Sequence, residues 1–312
     1  MRRVLPAFFM LSVLVVGAIS MLGLAGLAPG SGAQAQTRDQ YVRYWKSEWP
    51  KTDFTRSSVD FAEIMHGGPP RDGIPPIDEP AFVDVAAANA ILADREPVIG
   101  LVVNGEAKAY PLQVLMFHEI ANDTIGGVPV SVTFCPLCNA AIVFDRRVGD
   151  QVLDFGTTGK LRRSDLVMWD RQTESWWQLF LGEAIVGEMT GTRLTMLPSR
   201  LESWARFRAR APEATVLVPN GQHRRSYGGN PYQAYDSSTQ PFLYRGALPT
   251  GIPPLMRVVT LGERGAWSLD FMKRNRVVHL DDGTTIRWEP GQASALDTHE
   301  TAERRAVGKP LV

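Results

Sequence analysis

The chain has 312 residues, of which 44% are hydrophobic and 21% are charged, a composition typical of a packed globular protein and not of a disordered one. It contains 33 Lys and Arg against 33 Asp and Glu, and this balance argues against nucleic acid as a partner, which requires clustered positive charge. The only cysteines are Cys135 and Cys138, so a disulfide-dense scaffold is excluded.

The N-terminal residues have the pattern of an export signal. Met1-Arg2-Arg3 precedes a nearly uninterrupted apolar run from Val4 to Ala28, and Ala33-Gln34-Ala35 fits the small-x-small rule for cleavage. We therefore predict a signal peptide over residues 1–35 and a periplasmic or extracellular protein. The run is also long enough to span a bilayer, so an uncleaved N-terminal anchor is the alternative and the only membrane association that we expect.

The region before the cysteines is predicted to begin with loops and to continue with short elements. Residues 36–80 are polar and turn-rich, and we expect them to form an ordered strap over the domain. A short helix is predicted over residues 84–92. Strand-like runs at Val98–Val103 and Glu106–Tyr110 flank Asn104-Gly105, a pair that strongly favours a β-hairpin.

The cysteines are predicted to lie between two strands. A helix is expected over residues 111–120, with His118 and Glu119 in its last turn. A strand with alternating valines follows at Val128–Phe134, and Cys135 lies at its end, on the face opposite the valines. The Cys-Pro-Leu-Cys turn then leads into another predicted strand.

The remainder predicts a β-rich α+β fold with a few short helices. Ser199 and Glu202 have capping-box spacing, which predicts a helix over residues 200–210. The main domain is assigned to residues 81–236 and a linker to residues 237–256. Residues 257–312 repeat part of the earlier pattern in degenerate form, and because this second copy has no cysteine, function is assigned to the first.

The segment His118–Asp145, which contains both cysteines, resembles a bacterial and archaeal family described only as domain of unknown function 3179. Shorter matching stretches are Gly67–Pro75, Phe155–Asp165, Asp170–Trp177 and Asn230–Tyr232. The resemblance covers residues 60–236 and, more faintly, the C-terminal part. It implies no established activity, so the function has to be argued from the residues.

A metal site is the leading interpretation of the cysteine pair. Cys135 and Cys138 can reach one metal ion, and a Cys-Pro-x-Cys turn between strands is similar to the metal-binding turns of rubredoxins and zinc ribbons. Those proteins use two such turns and this chain has one, which excludes a closed four-sulfur site in a monomer. With His118 as the third ligand, a copper or zinc ion would keep an open coordination position.

Two alternatives stay open for the same pair. The first is a redox-active dithiol, although the first cysteine of thioredoxin-like proteins opens a helix, whereas a strand is predicted here. An enzyme of either type would be an oxidoreductase using Cys135, Cys138 and Glu119, with an unknown small molecule or redox protein as partner. The second alternative is a structural disulfide in a non-catalytic envelope binding module.

Three polar residues near His118 are assigned to the supporting shell of the site. Glu119 is a candidate general base, and Asn122 and Asp123 are candidates to orient the ligands. Each of them is also a common turn residue, and Asn122 and Asp123 precede a glycine pair.

Three tryptophans suggest a ligand-binding surface. Trp169, Trp176 and Trp177 lie within nine residues and could stack on a flat ligand, although core packing is the alternative for at least one of the adjacent pair. No nucleotide is expected, since the glycines near Lys160 lack the spacing of a phosphate-binding loop, and no haem, since Asn139 follows Cys138.

Overall fold

A computed structural model describes residues 37–298 and 306–311. The predicted signal peptide over residues 1–35 lies outside the described residues, as does a short part of the predicted repeat. The described part contains 21 strands and five short α-helices, which confirms the β-rich α+β class. None of these helices combines the length and the apolar character needed to cross a bilayer.

The helices and strands are short and follow one another closely along the chain. The α-helices are α1 (Arg38–Trp45), α2 (Val85–Ala88), α3 (Leu112–Leu115), α4 (Trp204–Arg210) and α5 (Leu269–Asn275). Single-turn 3₁₀ helices lie at Phe61–Glu63, Leu179–Leu181, Tyr235–Ser237 and Gly262–Arg264.

The strands before and at the cysteines are β1 (Ile64–His66), β2 (Ala81–Asp84), β3 (Pro97–Val103), β4 (Glu106–Pro111), β5 (Ile120–Ile125), β6 (Val128–Cys135) and β7 (Ala140–Asp145). The next are β8 (Arg147–Val148), β9 (Gln151–Val152), β10 (Phe155–Arg162), β11 (Asp165–Asp170), β12 (Trp176–Gln178), β13 (Glu183–Val186) and β14 (Met196–Leu197). The last are β15 (Ser199–Ser203), β16 (Thr215–Val218), β17 (Val258–Thr260), β18 (Ala266–Ser268), β19 (Val277–His279), β20 (Thr285–Glu289) and β21 (Lys309–Leu311).

Three sheets hold most of these strands. Sheet 1 has the order β1-β10-β11-β12-β13, sheet 2 the order β14-β7-β6-β5, and sheet 3 the order β15-β3-β4-β16-β2. Neighbouring strands of these sheets are antiparallel except for β4 and β16, which are parallel. Smaller sheets are formed by β8-β9, β17-β18 and β19-β20-β21.

Strand β6 of sheet 2 separates two hydrophobic cores. Val130, Val132 and Phe134 face the core shared with sheet 3, whereas Cys135 faces the core shared with sheet 1. The alternation of a strand explains this division, because successive side chains point to opposite faces. The structure therefore confirms the predicted strand and the predicted direction of Cys135.

Local sequence signals identified several elements and misplaced the ends of others. The hairpin β3-β4 turns at Asn104 and Gly105, whose φ angles are 49° and 85°, as its two-residue turn requires. The helix predicted over residues 84–92 is only the short α2, and residues 36–80 contain α1, which was not predicted. Spacing of four residues places Tyr41 and Trp45 of α1 on one face, against the core of sheet 1.

Two helix predictions were wrong in ways that matter for the site. The helix over residues 111–120 stops at Leu115, because Ile120 pairs with Thr133 in sheet 2, so His118 and Glu119 lie in a turn. The capping box at Ser199 is instead the start of β15, which pairs with β3. Pairing with the edge of sheet 3 overrides the local capping pattern there, and α4 begins after Ser203.

The C-terminal elements follow the order of the earlier ones. The series β17-β18-α5-β19-β20 consists of a hairpin, a short helix and a second hairpin. The series β3-β4-α3-β5-β6 has the same order. This order matches the partial repeat that the sequence indicates, and the second series lacks the cysteine turn that follows β6 in the first.

A buried ion pair connects sheets 2 and 3. Lys108 on β4 contacts Asp123 on β5 at 3.0 Å, and both side chains are about nine-tenths buried. The Tyr110 hydroxyl donates a further hydrogen bond of 2.7 Å to Asp123. The carboxylate therefore satisfies two buried groups of the adjacent sheet.

Replacing Asp123 with Asn should lower the free energy of unfolding by about 3 kcal/mol, because it removes the buried counter-charge of the Lys108 ammonium and leaves only the exposed Glu106 carboxylate at 3.6 Å. Urea denaturation at neutral pH measures the change. The exposed Asp150→Asn variant is the control and should stay within about 0.5 kcal/mol of the unmodified protein. A loss below about 1 kcal/mol in Asp123→Asn would contradict this role.

Candidate metal centre

The two cysteines are held by the hairpin that joins β6 to β7. Cys135 is the last residue of β6 and pairs with Ala140 of β7. Between them, the Asn139 N–H donates to the Pro136 carbonyl at 3.2 Å, and Asn139 has a φ of 48°, a left-handed conformation that Asn tolerates well. The turn closes over four residues and brings the second thiol, of Cys138, back towards the first.

A second hairpin turn supplies a carboxylate to the cysteines. Asp165 follows the turn between β10 and β11, whose two central residues, Arg163 and Ser164, have φ angles of 56° and 64°. Left-handed backbone at two successive non-glycine residues is strained, and such strain persists only where surrounding contacts enforce it. Ser164 has two such contacts, since the Cys135 thiol donates to its carbonyl at 3.9 Å and its own hydroxyl donates to the Phe242 carbonyl.

Three potential ligand atoms meet where the two turns touch. The Sγ atoms of Cys135 and Cys138 and a carboxylate oxygen of Asp165 all lie within 4.8 Å of one another. The closest approach that involves the carboxylate is 3.3 Å, from Cys138 Sγ to Asp165 Oδ1. Both thiols are free, Cys135 and Asp165 are buried, and Cys138 is half-buried.

Two acidic groups of this cluster, Cys138 and Asp165, have a raised proton affinity. Hydrogen bonding to the Cys135 thiol, burial and the Asp165 carboxylate together raise the pKa of Cys138 well above its usual range. Burial likewise raises the pKa of Asp165. A reactive dithiol needs a lowered thiol pKa and commonly a helix N-terminus, whereas the strand β7 follows this pair. The raised pKa of Cys138 therefore disfavours a thiolate at this residue in the absence of a cation.

Glu119 lies in the turn before β5, close to the same cluster. Its carbonyl accepts from the Phe134 N–H at 2.8 Å, which fixes the turn beside the end of β6. Its carboxylate accepts a hydrogen bond of 3.3 Å from the Tyr232 hydroxyl. Burial raises the pKa of Glu119 to about 7, and the nearby Asp165 carboxylate contributes to this rise. Glu119, a predicted site residue, thus lies beside the cysteine cluster, but its carboxylate is not one of the three clustered ligand groups.

His118 uses both ring nitrogens away from the cysteines. Nδ1 lies 2.7 Å from the Pro75 carbonyl and Nε2 lies 2.7 Å from the Tyr227 hydroxyl. Because a carbonyl only accepts, Nδ1 carries the proton and Nε2 accepts from Tyr227. The third atom near the thiols comes from Asp165, and the structure does not bring His118 to the cysteines.

Asn122 and Asp123 link structural elements and do not contact the cysteines. The Asn122 amide donates to Asp78 and to the Phe155 carbonyl, each at 2.8 Å. Asp123 accepts from Lys108, as described for the fold. We predicted that both residues orient metal ligands. In the structure, their side chains instead form the hydrogen bonds that hold β5 in place.

The three tryptophans form no exposed surface. Trp169, Trp176 and Trp177 are 4%, 0% and 0% exposed, so the predicted stacking surface is wrong and core packing accounts for all three. The Trp169 indole donates to Asp72 and that of Trp177 to Asp170. Alternating directions along β12 bury Trp176 and Trp177 in different cores on the two faces of sheet 1.

A family model described as protein of unknown function, DUF3179, matches residues 71–311, which is most of the chain. The chain belongs to this family. The DUF3179 match includes the cysteine turn, Asp165 and the C-terminal elements. Neither a search of curated proteins nor a search of solved structures returned a significant match.

Sequence reasoning missed Asp165 and Tyr232. Both lie far from the cysteines along the chain, and each is brought to them by a turn or loop. One signal was present for Asp165, since the turn before it contains Arg163 and Ser164 and lacks the glycine that such a turn usually has. A tight hairpin without glycine indicates a backbone held by other contacts.

Replacing Glu119 with Gln should stabilise the metal-free protein at pH 8. The pKa of Glu119 is about 7 when folded, against an ordinary value of 4.5, so the folded state holds the proton more tightly and stability falls as pH rises through this window. The advantage of the variant should therefore grow by about 2 kcal/mol between pH 5 and pH 8. Urea denaturation at the two pH values measures it.

The exposed Glu213→Gln variant is the matched control and should give the same difference from the unmodified protein at both pH values. An advantage of Glu119→Gln that does not change with pH would contradict the buried, proton-retaining carboxyl described here.

Proposed function

We propose that the chain binds one Zn²⁺ ion through the Sγ atoms of Cys135 and Cys138 and a carboxylate oxygen of Asp165. The observation that carries this proposal is the meeting of these three atoms within 4.8 Å of one another. In a tetrahedral site, zinc–ligand bonds of about 2.0–2.3 Å place the ligand atoms ~3.4–3.8 Å apart, so the side chains would have to close by up to about 1 Å.

The chemistry of the donors favours zinc. Zinc accepts thiolate and carboxylate ligands together, whereas Cu(I) prefers sulfur alone. Zinc is also redox-inert, so a redox role would require copper in the same site. Copper is therefore the alternative ion, and metal analysis separates the two.

The charge of the site supports a cation. Cys138 and Asp165 both have raised pKa values, and Glu119 lies near them. Among residues 37–298 and 306–311, no lysine or arginine forms an ion pair with Asp165 or Glu119. A metal ion would supply the missing positive charge and would displace the thiol protons, since metal ligands bind in the deprotonated form.

Three protein ligands would leave the fourth position of a tetrahedral zinc ion open, which is the arrangement of catalytic and exchangeable sites. Cys138 and Leu137 line a cavity of about 570 Å³, through which a small ligand can approach that position. We further propose that the protein is exported and meets its ligand in the periplasm or outside the cell. The export signal that the sequence predicts over residues 1–35 supports this location.

Untagged full-length protein, isolated from the periplasmic fraction, should contain about one zinc per chain and lose it in Cys138→Ser and in Asp165→Asn. The His118→Ala variant is the matched control and should keep the metal, because its ring nitrogens bind Pro75 and Tyr227. Elemental analysis gives the metal content, and circular dichroism checks that each variant is folded.

The other results overturn the zinc proposal in distinguishable ways. Copper in place of zinc would assign the site to redox chemistry. Absence of metal with no free thiols would indicate a structural disulfide. Absence of metal with two free thiols, together with a reduction potential in the range of exchange catalysts, would indicate a dithiol oxidoreductase. Loss of metal in His118→Ala with retention in Asp165→Asn would restore the histidine-containing ligand set.

A further inference from the structure

A large cavity lies beside the cysteine cluster. Its volume is about 800 Å³, which suits a small organic ligand. Most of its lining is apolar, with Leu161 and Leu166 on one side. The aromatic side chains of Tyr232, Tyr235 and Phe242 complete it.

The cavity wall is anchored to the hairpin turn that carries Asp165. The Ser164 hydroxyl donates to the Phe242 carbonyl, and the Phe242 N–H donates to the Tyr235 hydroxyl at 3.0 Å. These bonds hold the loop with its aromatic rings against the body of sheet 1. The cavity is therefore a built feature that shares its support with the cluster.

One carboxylate on this wall lacks a full set of partners. Glu119 is only 6% exposed and lines the cavity. Its Oε1 atom accepts the Tyr232 hydrogen bond of 3.3 Å, and no group in the described part of the chain donates to its Oε2 atom. Because Oε2 is not fully enclosed, it can accept a hydrogen bond from a ligand in the cavity.

The protein itself does not neutralise this carboxylate. Lys160 also lines the cavity, but its ammonium is paired with Glu48 at 3.2 Å and lies over the rings of Trp49 and Trp176. The charge that acts on Glu119 is the like charge of Asp165. The wall thus presents an acid next to aromatic rings, and the Lys160 ammonium in the same lining is already paired with Glu48.

We propose that this cavity binds an organic amine, with the ammonium group at Glu119 Oε2 and the apolar body against Tyr232, Tyr235 and Phe242. A carboxylate gives a charge-assisted hydrogen bond to an ammonium, and aromatic faces attract the same cation. The binding site goes beyond the zinc proposal and does not depend on it, because neither thiol is needed to form the cavity.

Phenethylamine and 2-phenylethanol are the probes, since they share an aromatic body and differ in the charged group. Isothermal titration calorimetry at pH 8 on the protein as isolated should give an affinity at least tenfold higher for the amine. Glu119→Gln should remove that preference, and the exposed Glu213→Gln variant should keep it.

Two further variants keep the test decisive if Glu119→Gln does not fold. Ile74 lines the cavity, so Ile74→Trp should fill it and abolish binding of both probes. Tyr232→Phe retains the ring and should keep the preference for the amine. Equal affinities for the two probes in the unmodified protein, no binding of either one, or undiminished binding in Ile74→Trp would each overturn the proposal.

The same titration on Asp165→Asn separates this proposal from the zinc site. Loss of metal with retained preference for the amine supports both proposals. If Asp165→Asn retains its metal, the zinc ligand set is refuted. The amine proposal is then judged only from the affinities of the two probes for the unmodified protein.

Discussion

The contact between two hairpin turns determines the arrangement of the whole site. The turn Pro136–Asn139 carries the thiols, and the turn at Arg163 and Ser164 carries Asp165. Neither turn has a glycine, and the left-handed backbone of Arg163 and Ser164 depends on support from neighbouring contacts. Sheets 1 and 2 are brought together across the core that contains Cys135, and this packing holds the turns in place.

This arrangement concentrates acidic groups where water is largely absent. Cys138, Asp165 and Glu119 all have raised pKa values, and burial contributes to each of them. Raising the pKa of Asp165 and Glu119 costs stability at neutral pH unless cations offset their charge, and the raised pKa of Cys138 opposes formation of its thiolate. Both proposals follow from this single condition, since a metal ion would offset the charge of the thiols and Asp165, and an organic amine that of Glu119.

The strand pattern was predictable because alternation of apolar side chains is a local property. It identified β6, the direction of Cys135 and the hairpin at Asn104-Gly105. The exact ends of helices were less predictable, since β5 and β15 form through pairing with strands distant in sequence. The site was predictable only in its cysteine pair and in Glu119. Proximity to the cysteines along the chain suggested His118, Asn122 and Asp123 as site residues. The packing of two hairpins brings Asp165 to the cysteines instead.

X-ray absorption at the zinc edge, on protein isolated from the periplasm, tests the central claim most directly. We expect two sulfur ligands at about 2.3 Å and at least one oxygen ligand at about 2.0–2.2 Å, with no imidazole signature. An imidazole ligand, or fewer than two sulfur ligands on the bound metal, would contradict a centre built from Cys135, Cys138 and Asp165.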